Sequence, residues 1–260
     1  MRILVGLDGI VITESRYGPG ERGPEAHVHR HHADAFLVLD GELTLTLTDG
    51  ERLAPAGTWL LVPPHVVHSF RNDGSSDARF LNLHSPGMGF DRYLRGELPD
   101  FDQHEAPADG GAAPTSVVVC TSDTAEAVSI GENRVAFLAG VEATLGGAGI
   151  VEYTAMPSFG GPPRHVHRHT FDMYYVLEGA LRVFLGDALE VLHPGSYGLV
   201  PPGIVHTFEN PSGDESVRFL NIHSPGGFEQ YFREAAAALG TWADPAVRAE
   251  IASRYDFEPA

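Results

Sequence analysis

The stretch from Gly161 to Gly179 reads GPPRHVHRHTFDMYYVLEG and places two histidines and an acidic residue around one predicted turn. Alternate residues of a β-strand point to the same side, so His165 and His167 can converge on one point. Asp172 follows after four intervening residues and opens an apolar run, which is typical of a second strand. We therefore expect a short strand, a loop and a longer strand, with polar side chains at their junction.

A third histidine, His206, follows a Pro-Pro-Gly corner in the stretch GSYGLVPPGIVHTFEN and begins another predicted strand. Three imidazoles and one carboxylate are a ligand set that suits a divalent transition metal. The same set occurs earlier in the chain, at a constant shift of 138 positions. The matching pairs are His27 with His165, His29 with His167, Asp34 with Asp172, and His68 with His206.

This internal repeat predicts two domains of similar architecture in the 260 residues. The segment QHEAPADGGAAPTS, residues 103–116, has the composition of a linker and lies between the two copies. We place an N-terminal domain at 1–102, a linker with an entry strand at 103–128, and a C-terminal domain at 129–260.

The composition favours an all-β fold with many turns. The chain has 30 glycines and 19 prolines, which fall between short runs of Val, Leu, Phe and Thr. In the run FLVLDGELTLTLTDGERL we predict one hairpin turn at Asp40-Gly41 and a second at Asp49-Gly50. Repeated hairpins with Gly-Pro corners predict two tandem jelly-roll barrels, also called double-stranded β-helices.

Helices are expected only after the last strand of each barrel. The stretches GFDRYLRGEL and GFEQYFREAAAALG are short and amphipathic. The second copy also contains a terminal helix that the first lacks, with Asp244 as N-cap and Pro245 as its first residue, running to about Tyr255.

Charge and hydropathy exclude several classes of partner. The formal net charge of −18 would repel nucleic acid and anionic membranes. No apolar stretch approaches the ~18 residues of a membrane span, and the N-terminus does not resemble a secretory signal. A single cysteine, Cys120, excludes an intrachain disulfide and predicts a cytoplasmic protein. Two fused barrels predict a monomer or a homodimer.

The motifs resemble those of the cupin family, and their duplication resembles the two-domain bicupins. The first cupin motif continues from His-x-His through an acid to a glycine, as His165 to Gly179 do, and Gly160 lies nearer than Gly161 to the expected leading glycine. The second motif is complete in the C-terminal copy. Its residues there are Gly195, Pro201, Gly203, His206 and Asn210. In the first copy His65 stands at the position of Gly203.

The resemblance implies that the three histidines of each copy bind one divalent transition metal per barrel, drawn from Fe, Ni, Mn, Co, Cu or Zn. The family has glutamate where this chain has Asp34 and Asp172. Aspartate is one methylene shorter, so its carboxylate either reaches the ion because the hairpin moves inward or orients a bound water from farther away.

Other polar and aromatic residues are predicted to have supporting roles. His31, His32, His65 and His169 lie in loops, where we expect solvent exposure. Asn82, His84, Asn221 and His223 are expected to be hydrogen-bonded residues of a strand. Tyr174 follows Asp172 by two residues and shares its face, so Tyr174 and its equivalent Phe36 are predicted to line a substrate pocket.

The resemblance to bacterial quercetin 2,3-dioxygenases implies a metal-dependent dioxygenase that acts with O2 on a small enolic or phenolic, flavonol-like substrate. Asp172 and Asp34 are then the catalytic proton acceptors. A non-redox isomerase or cyclase, which uses the metal only as a Lewis acid, is an alternative, and so is a non-catalytic small-ligand-binding bicupin. Dependence on oxygen separates the first two, and absence of turnover identifies the third.

Overall fold

The computed structural model describes residues 1–238, 240 and 244–260, and these divide into two compact units. The N-terminal unit comprises residues 1–124 and 142–147, and the C-terminal unit comprises residues 125–141 and 148–260. The division differs from the boundary at 102/103 that the sequence suggests. Residues 104–105 and 118–121 form edge strands of the N-terminal unit, because they pair with strands that contain His27 and Trp59.

The N-terminal unit contains eleven strands, one short α-helix and one turn of 3₁₀ helix. The strands are β1 (Arg2–Gly6), β2 (Val11–Tyr17), β3 (His27–Val28), β4 (Ala33–Asp40), β5 (Glu42–Leu47), β6 (Gly50–Pro55), β7 (Thr58–Val62), β8 (His68–Arg71), β9 (Ala78–Ser85), β10 (His104–Glu105) and β11 (Val118–Thr121). The helix α1 is Phe90–Leu94, and the 3₁₀ turn is Pro114–Ser116.

These strands form two antiparallel sheets, one of six strands in the order β1-β2-β9-β4-β7-β11 and one of five in the order β10-β3-β8-β5-β6. Their inner faces share one apolar core, to which β4 contributes Phe36, β5 contributes Leu45 and β9 contributes Phe80. In β5 the leucines point into this core and alternate with threonines, as the period-2 pattern predicts. The jelly-roll architecture is therefore confirmed for this unit.

The predicted hairpin at Asp40-Gly41 is wrong. β4 belongs to the six-stranded sheet and β5 to the five-stranded sheet, so the chain crosses between sheets at this point. Gly41 makes the crossing with φ 69°, and an added Cβ there would lie close to the backbone of Asp77 and Ala78. The second predicted hairpin is present but begins one residue earlier, because Leu47 of β5 pairs with Gly50 of β6 and leaves Thr48 and Asp49 as the turn.

The C-terminal unit repeats this arrangement, and its described residues form eleven strands and two helices. The strands are β12 (Ala127–Ile130), β13 (Asn133–Ala139), β14 (Gly149–Ala155), β15 (His165–Val166), β16 (Phe171–Glu178), β17 (Leu181–Leu185), β18 (Ala188–Leu192), β19 (Tyr197–Val200), β20 (His206–Glu209), β21 (Val217–Ser224) and β22 (Glu258–Pro259). The helices are α2 (Glu229–Ala237) and α3 (Pro245–Ala252).

The sheets of this unit have the orders β12-β13-β14-β21-β16-β19 and β18-β17-β20-β15-β22. Their shared core is rich in aromatic rings, including Tyr153, Phe208 and Phe219. Helix α3 begins at Pro245 as predicted, and the Asp244 carboxylate accepts a hydrogen bond from the Ala246 N–H at 2.8 Å. No helix among the described residues is both long enough and apolar enough to cross a membrane.

Gly161 is required by the backbone, whereas its neighbour Gly160 is not. Gly161 has φ 83°, and an added Cβ would collide with the carbonyl oxygen of Phe208. Nothing lies within 4 Å of a Cβ added to Gly160.

We expect Gly161→Ala to lower the free energy of unfolding by about 2–5 kcal/mol, the cost of a left-handed residue plus an overpacked contact. Urea denaturation measures this loss. Gly160→Ala is the matched control, and equal destabilisation by both variants would contradict the steric argument.

Candidate metal centre

Three histidine rings of the C-terminal unit meet between two short strands. His165 lies in β15 directly opposite His206 in β20, and His167 follows β15 on the same side. The centroid of the His165 ring is 4.9 Å from that of His167 and 4.3 Å from that of His206. All three side chains are buried, so the sequence-predicted convergence is present in the structure.

The backbone fixes the tautomer of each of these histidines. In every ring Nδ1 faces a backbone carbonyl oxygen, which can only accept, so Nδ1 carries the hydrogen and Nε2 keeps its lone pair. The donor and acceptor pairs are His165 with Pro163 (2.9 Å), His206 with Ile204 (2.9 Å) and His167 with Asp256. Three lone pairs are thereby directed toward a common centre, as metal ligation requires.

Asp172, at the start of β16, completes this group. One of its carboxylate oxygens, Oδ2, lies 3.1 Å from Nε2 of His206. Ligands about 2.1 Å from a common ion are separated by roughly 3.0–3.4 Å, so the shorter acid is close enough to share an ion with the histidines. The one ligand atom that each of the four residues offers lies within 4.8 Å of the other three.

A further observation indicates that these four residues fit a metal ion. Nε2 of His167 is buried and has no hydrogen-bond partner among the described residues. An unpartnered buried polar atom costs free energy, and a cation at the centre of the group would satisfy it. The C-terminal unit thus has a buried His3Asp group that can hold a divalent metal.

Burial and neighbouring groups set the protonation of this centre. Burial, assisted by the nearby imidazoles of His206 and His167, lowers the pKa of His165 to about 3, so this ring is neutral near pH 7. Burial alone would raise the pKa of Asp172, but the electrostatic influence of the surrounding histidines, His223 first among them, outweighs it and holds this pKa below its usual value. Neutral imidazoles and an ionised carboxylate are the forms that bind metals.

The N-terminal unit repeats the group with His27, His29, Asp34 and His68. The ring centroids are 4.8 Å apart for His27 and His29, and 4.4 Å apart for His27 and His68. Each Nδ1 again faces a backbone carbonyl oxygen, and Nε2 of His29 is buried without a hydrogen-bond partner. The pairs are His27 with Glu25 (2.8 Å), His29 with Asp102 (2.6 Å) and His68 with Val66 (2.9 Å).

Asparagine and histidine residues of the last long strand hold the acid in each barrel. Asn221 Nδ2 donates to Asp172 Oδ1 at 2.5 Å, and His223 Nε2 lies 3.3 Å from the same oxygen. Asn82 donates to Asp34 Oδ1 in the N-terminal unit, also at 2.5 Å. They were predicted only as hydrogen-bonded strand residues, although the repeated pattern RFLN-(L/I)-HSPG could have linked them to the site.

Tyr174, a predicted pocket residue, does not line the cavity described below, and its equivalent Phe36 lies in the N-terminal unit, which that cavity does not reach. Both are fully buried in the apolar cores. The Tyr174 hydroxyl donates a hydrogen bond to Asp172 Oδ2. Tyr174 therefore lies on the same face as the acid, as predicted, but it supports the carboxylate and does not form part of the cavity wall. Phe36 occupies the equivalent position but has no hydroxyl, and the two barrels differ at this point.

Among the loop histidines, the predicted solvent exposure is wrong for His32. His31, His65 and His169 are exposed as expected, but His32 is 0% exposed. Its Nδ1 lies 3.0 Å from the carboxylate of Asp102, which is 70 positions farther along the chain. Spacing within the loop could not reveal this partner.

A cavity of about 480 Å³ in the C-terminal unit reaches the metal centre at His165 and Asp172. Its wall is mainly apolar, and α3 contributes Pro245, Arg248, Ala249 and Ala252 at helical spacing. The aromatic residues of the wall are Tyr153, Phe159, Phe208, Phe228, Tyr231, Phe232 and Phe257. Volume and lining are typical of a site for a small organic molecule.

The duplicated barrels and their histidine centres define a class of protein. The sequence profile of the cupin domain matches residues 13–84 and 151–223. These two matches cover more than half of the chain, and the protein therefore belongs to the cupin family and has two cupin domains.

Several known proteins are similar to this one. Quercetin 2,3-dioxygenase of Bacillus subtilis is 25% identical over 252 residues, an alignment that covers 83% of this chain and 73% of that protein. The glyoxylate-induced protein of Pseudomonas aeruginosa shares the fold with a TM-score of 0.62 at 17% identity, over 84% of this chain and 75% of that one. Oxalate decarboxylase of Bacillus subtilis, which has Mn(II) centres, gives 0.54 at 20% identity, over 85% and 70%.

Proposed function

We propose that this bicupin is a metal-dependent oxygenase that acts on a small enolic or phenolic substrate in its C-terminal barrel. The observation that carries the proposal is the apolar cavity, which touches His165 and Asp172 of the His3Asp group. The 25% identity to a quercetin 2,3-dioxygenase supports the same class of reaction.

The cavity would bind an aromatic substrate through its ring-lined wall. Tyr153 and Phe208 lie on the barrel side, and Phe257 packs against His165 with ring centroids 4.2 Å apart. Flat aromatic surfaces bind a flat ring by stacking and edge contacts, and they exclude water from the space next to the metal centre. The substrate class that fits is therefore a small molecule with an apolar aromatic body and a hydroxyl directed at the centre.

Asp172 is the proposed acceptor of the substrate proton. Its lowered pKa keeps the carboxylate ionised near neutral pH, and both oxygens are already held by hydrogen bonds, Oδ1 by Asn221 and Oδ2 by Tyr174. A carboxylate with a low pKa is a weak base, so the hydroxyl must be made acidic. A divalent transition ion, when bound by the histidines, lowers the pKa of such a hydroxyl and supports the reaction with O2.

Oxygen consumption tests the proposal directly. The protein is stripped of metal, reloaded separately with each candidate divalent ion, and mixed with a flavonol, an enol or a catechol in an oxygen electrode cell. Uptake of one O2 per molecule of flavonol, with cleavage of its central ring, is the expected result. Both oxygen atoms then enter the products, and no separate reductant is consumed.

Other outcomes would favour the alternative functions. Conversion of substrate at an unchanged rate without oxygen would indicate a non-redox isomerase or cyclase that uses the ion only as a Lewis acid. Saturable binding without any conversion would indicate a small-ligand-binding bicupin. Metal-loaded protein that neither binds nor converts the panel would reject the proposed substrate class.

A further inference from the structure

A second group of histidines lies beside the metal centre of the N-terminal barrel. It consists of His29, His32 and His84, which are 2%, 0% and 3% exposed. The ring centroids are 4.1 Å apart for His29 and His32, 4.9 Å for His32 and His84, and 5.6 Å for His29 and His84. These separations are similar to those among the three histidines of the neighbouring centre.

One nitrogen of each ring, which we call the outer nitrogen, faces an atom that can only accept a hydrogen bond. The other ring nitrogen is the inner nitrogen. A carbonyl oxygen and an ionised carboxylate have no hydrogen to give. The amide of Asn82 is also fixed, because its Nδ2 donates to Asp34 and to the Ala35 carbonyl, which leaves its Oδ1 as the acceptor for His84. The pairs are His29 Nδ1 with Asp102 O (2.6 Å), His32 Nδ1 with Asp102 Oδ2 (3.0 Å) and His84 Nε2 with Asn82 Oδ1 (2.9 Å).

The three rings have too few N–H hydrogens to satisfy their inner nitrogens as well as their outer ones. A neutral imidazole has one N–H, and each of these rings uses it on its outer partner. The inner atoms His32 Nε2 and His84 Nδ1 are 2.8 Å apart, so two lone pairs would face each other there. The third inner atom, His29 Nε2, has no hydrogen-bond partner among the described residues. A cation between these nitrogens would remove the repulsion and satisfy all three.

We propose that His29, His32 and His84 form a second binding position for a divalent metal ion in the N-terminal barrel. Its chemistry differs from that of the first position, because all three ligands are neutral imidazoles and no carboxylate is included. Such a set suits Zn²⁺, Co²⁺ or Cu²⁺ better than Mn²⁺ or Mg²⁺. The outer acceptors Asp102 and Asn82 are the supporting groups that metal-binding histidines normally have.

The two positions share a ligand and therefore exclude each other. His29 has only one nitrogen, Nε2, available for a metal, since its Nδ1 donates to Asp102. An ion in this barrel is bound either with His27 and His68 or with His32 and His84. The N-terminal barrel thus binds one metal ion, which has two alternative binding positions.

The C-terminal barrel supplies the matched control, because Thr170 stands at the position equivalent to His32. His223 is the equivalent of His84, and within the described part of this barrel the His3Asp group is the single cluster of possible metal ligands. The substitution His32→Thr therefore makes the N-terminal barrel resemble its partner at this point. Thr170 is itself buried, which shows that this position accommodates threonine.

Metal counting in the full chain tests the proposal. The C-terminal centre is first disabled by His165→Ala and His206→Ala, so that bound Co²⁺ reports only the N-terminal barrel. Adding His27→Ala and His68→Ala should leave about one Co²⁺ per chain, because His29, His32 and His84 remain. Further addition of His32→Thr should reduce the count to below about 0.1 per chain, whereas His32→Thr with His27 and His68 intact should leave it near one.

Two results would overturn the proposal. The first is a folded His27→Ala/His68→Ala protein that binds no Co²⁺, which would mean that an extra proton, not a metal, separates the two facing nitrogens. The second is Co²⁺ binding by the His27→Ala/His68→Ala protein that survives the further addition of His32→Thr. Should the multiple variants fail to fold, Cu²⁺ EPR on the protein with only the C-terminal centre disabled decides. Two Cu²⁺ signals are expected, one of which His32→Thr removes, and a single signal that His32→Thr leaves unchanged contradicts the proposal.

Discussion

Replacing His206 with alanine is expected to remove the metal ion from the C-terminal barrel and to lower the proposed oxygen-consuming activity by more than about 100-fold. His206 holds a central place in this centre, since it lies opposite His165 across the strands and 3.1 Å from Asp172. Loss of a residue that only supports a ligand already costs about 10–100-fold in affinity or activity, and loss of the ligand itself costs more. Elemental analysis and an oxygen electrode provide the two measurements.

The exposed His193 of the same unit gives the control for this experiment. His193→Ala removes an imidazole from the surface and should change neither metal content nor activity. Unchanged metal content in His206→Ala would contradict the assignment of His206 as a ligand. Loss of metal with full activity would instead move catalysis out of the C-terminal barrel.

The variant Ala252→Trp is expected to raise KM for an aromatic substrate by more than about tenfold, or to abolish turnover, while metal content stays the same. Ala252 lies on the face of α3 that lines the cavity, together with Pro245, Arg248 and Ala249. A Trp side chain there occupies the space that the substrate needs, whereas Ala252 itself is neither a ligand nor an Nδ1 partner of the histidines. Steady-state kinetics and elemental analysis of the same sample separate these effects.

Ala246→Trp is the matched substitution on the exposed face of the same helix. It adds the same side chain without entering the cavity, so KM should be unchanged. Equal kinetic losses in both variants would mean that α3 matters for folding rather than for binding. Normal kinetics in Ala252→Trp would exclude this cavity as the substrate site.

The sequence predicted which residues come together in the two His3Asp groups, because the information for them is local or repeated. His165 and His167 share a face by strand periodicity, and the repeat at a constant shift identified the equivalent His27 and His29. The position of α3 was also predictable, because its N-cap Asp244 and its first residue Pro245 are adjacent in sequence. Its end at Ala252 is three residues short of the expectation.

Long-range contacts account for the features that the sequence did not predict. The turn at Gly41 has the local residues of a hairpin, and only the pairing of β4 with β9 and of β5 with β8 places its two strands in different sheets. His32 is buried because Asp102, far along the chain, accepts from its ring. The cavity depends on α3 packing over the barrel, which no pattern within a single strand could indicate.

Residues 256–260 of the C-terminal unit contact the segment that contains His165 and His167. The Asp256 carbonyl oxygen accepts from the His167 ring, Pro259 lies opposite His165, and the Ala260 N–H donates to the Arg164 carbonyl at 2.9 Å. Proteolytic cleavage just before Asp256 would remove these contacts and weaken metal binding without changing any ligand. A preparation damaged in this way would be mistaken for a protein with intrinsically poor metal retention.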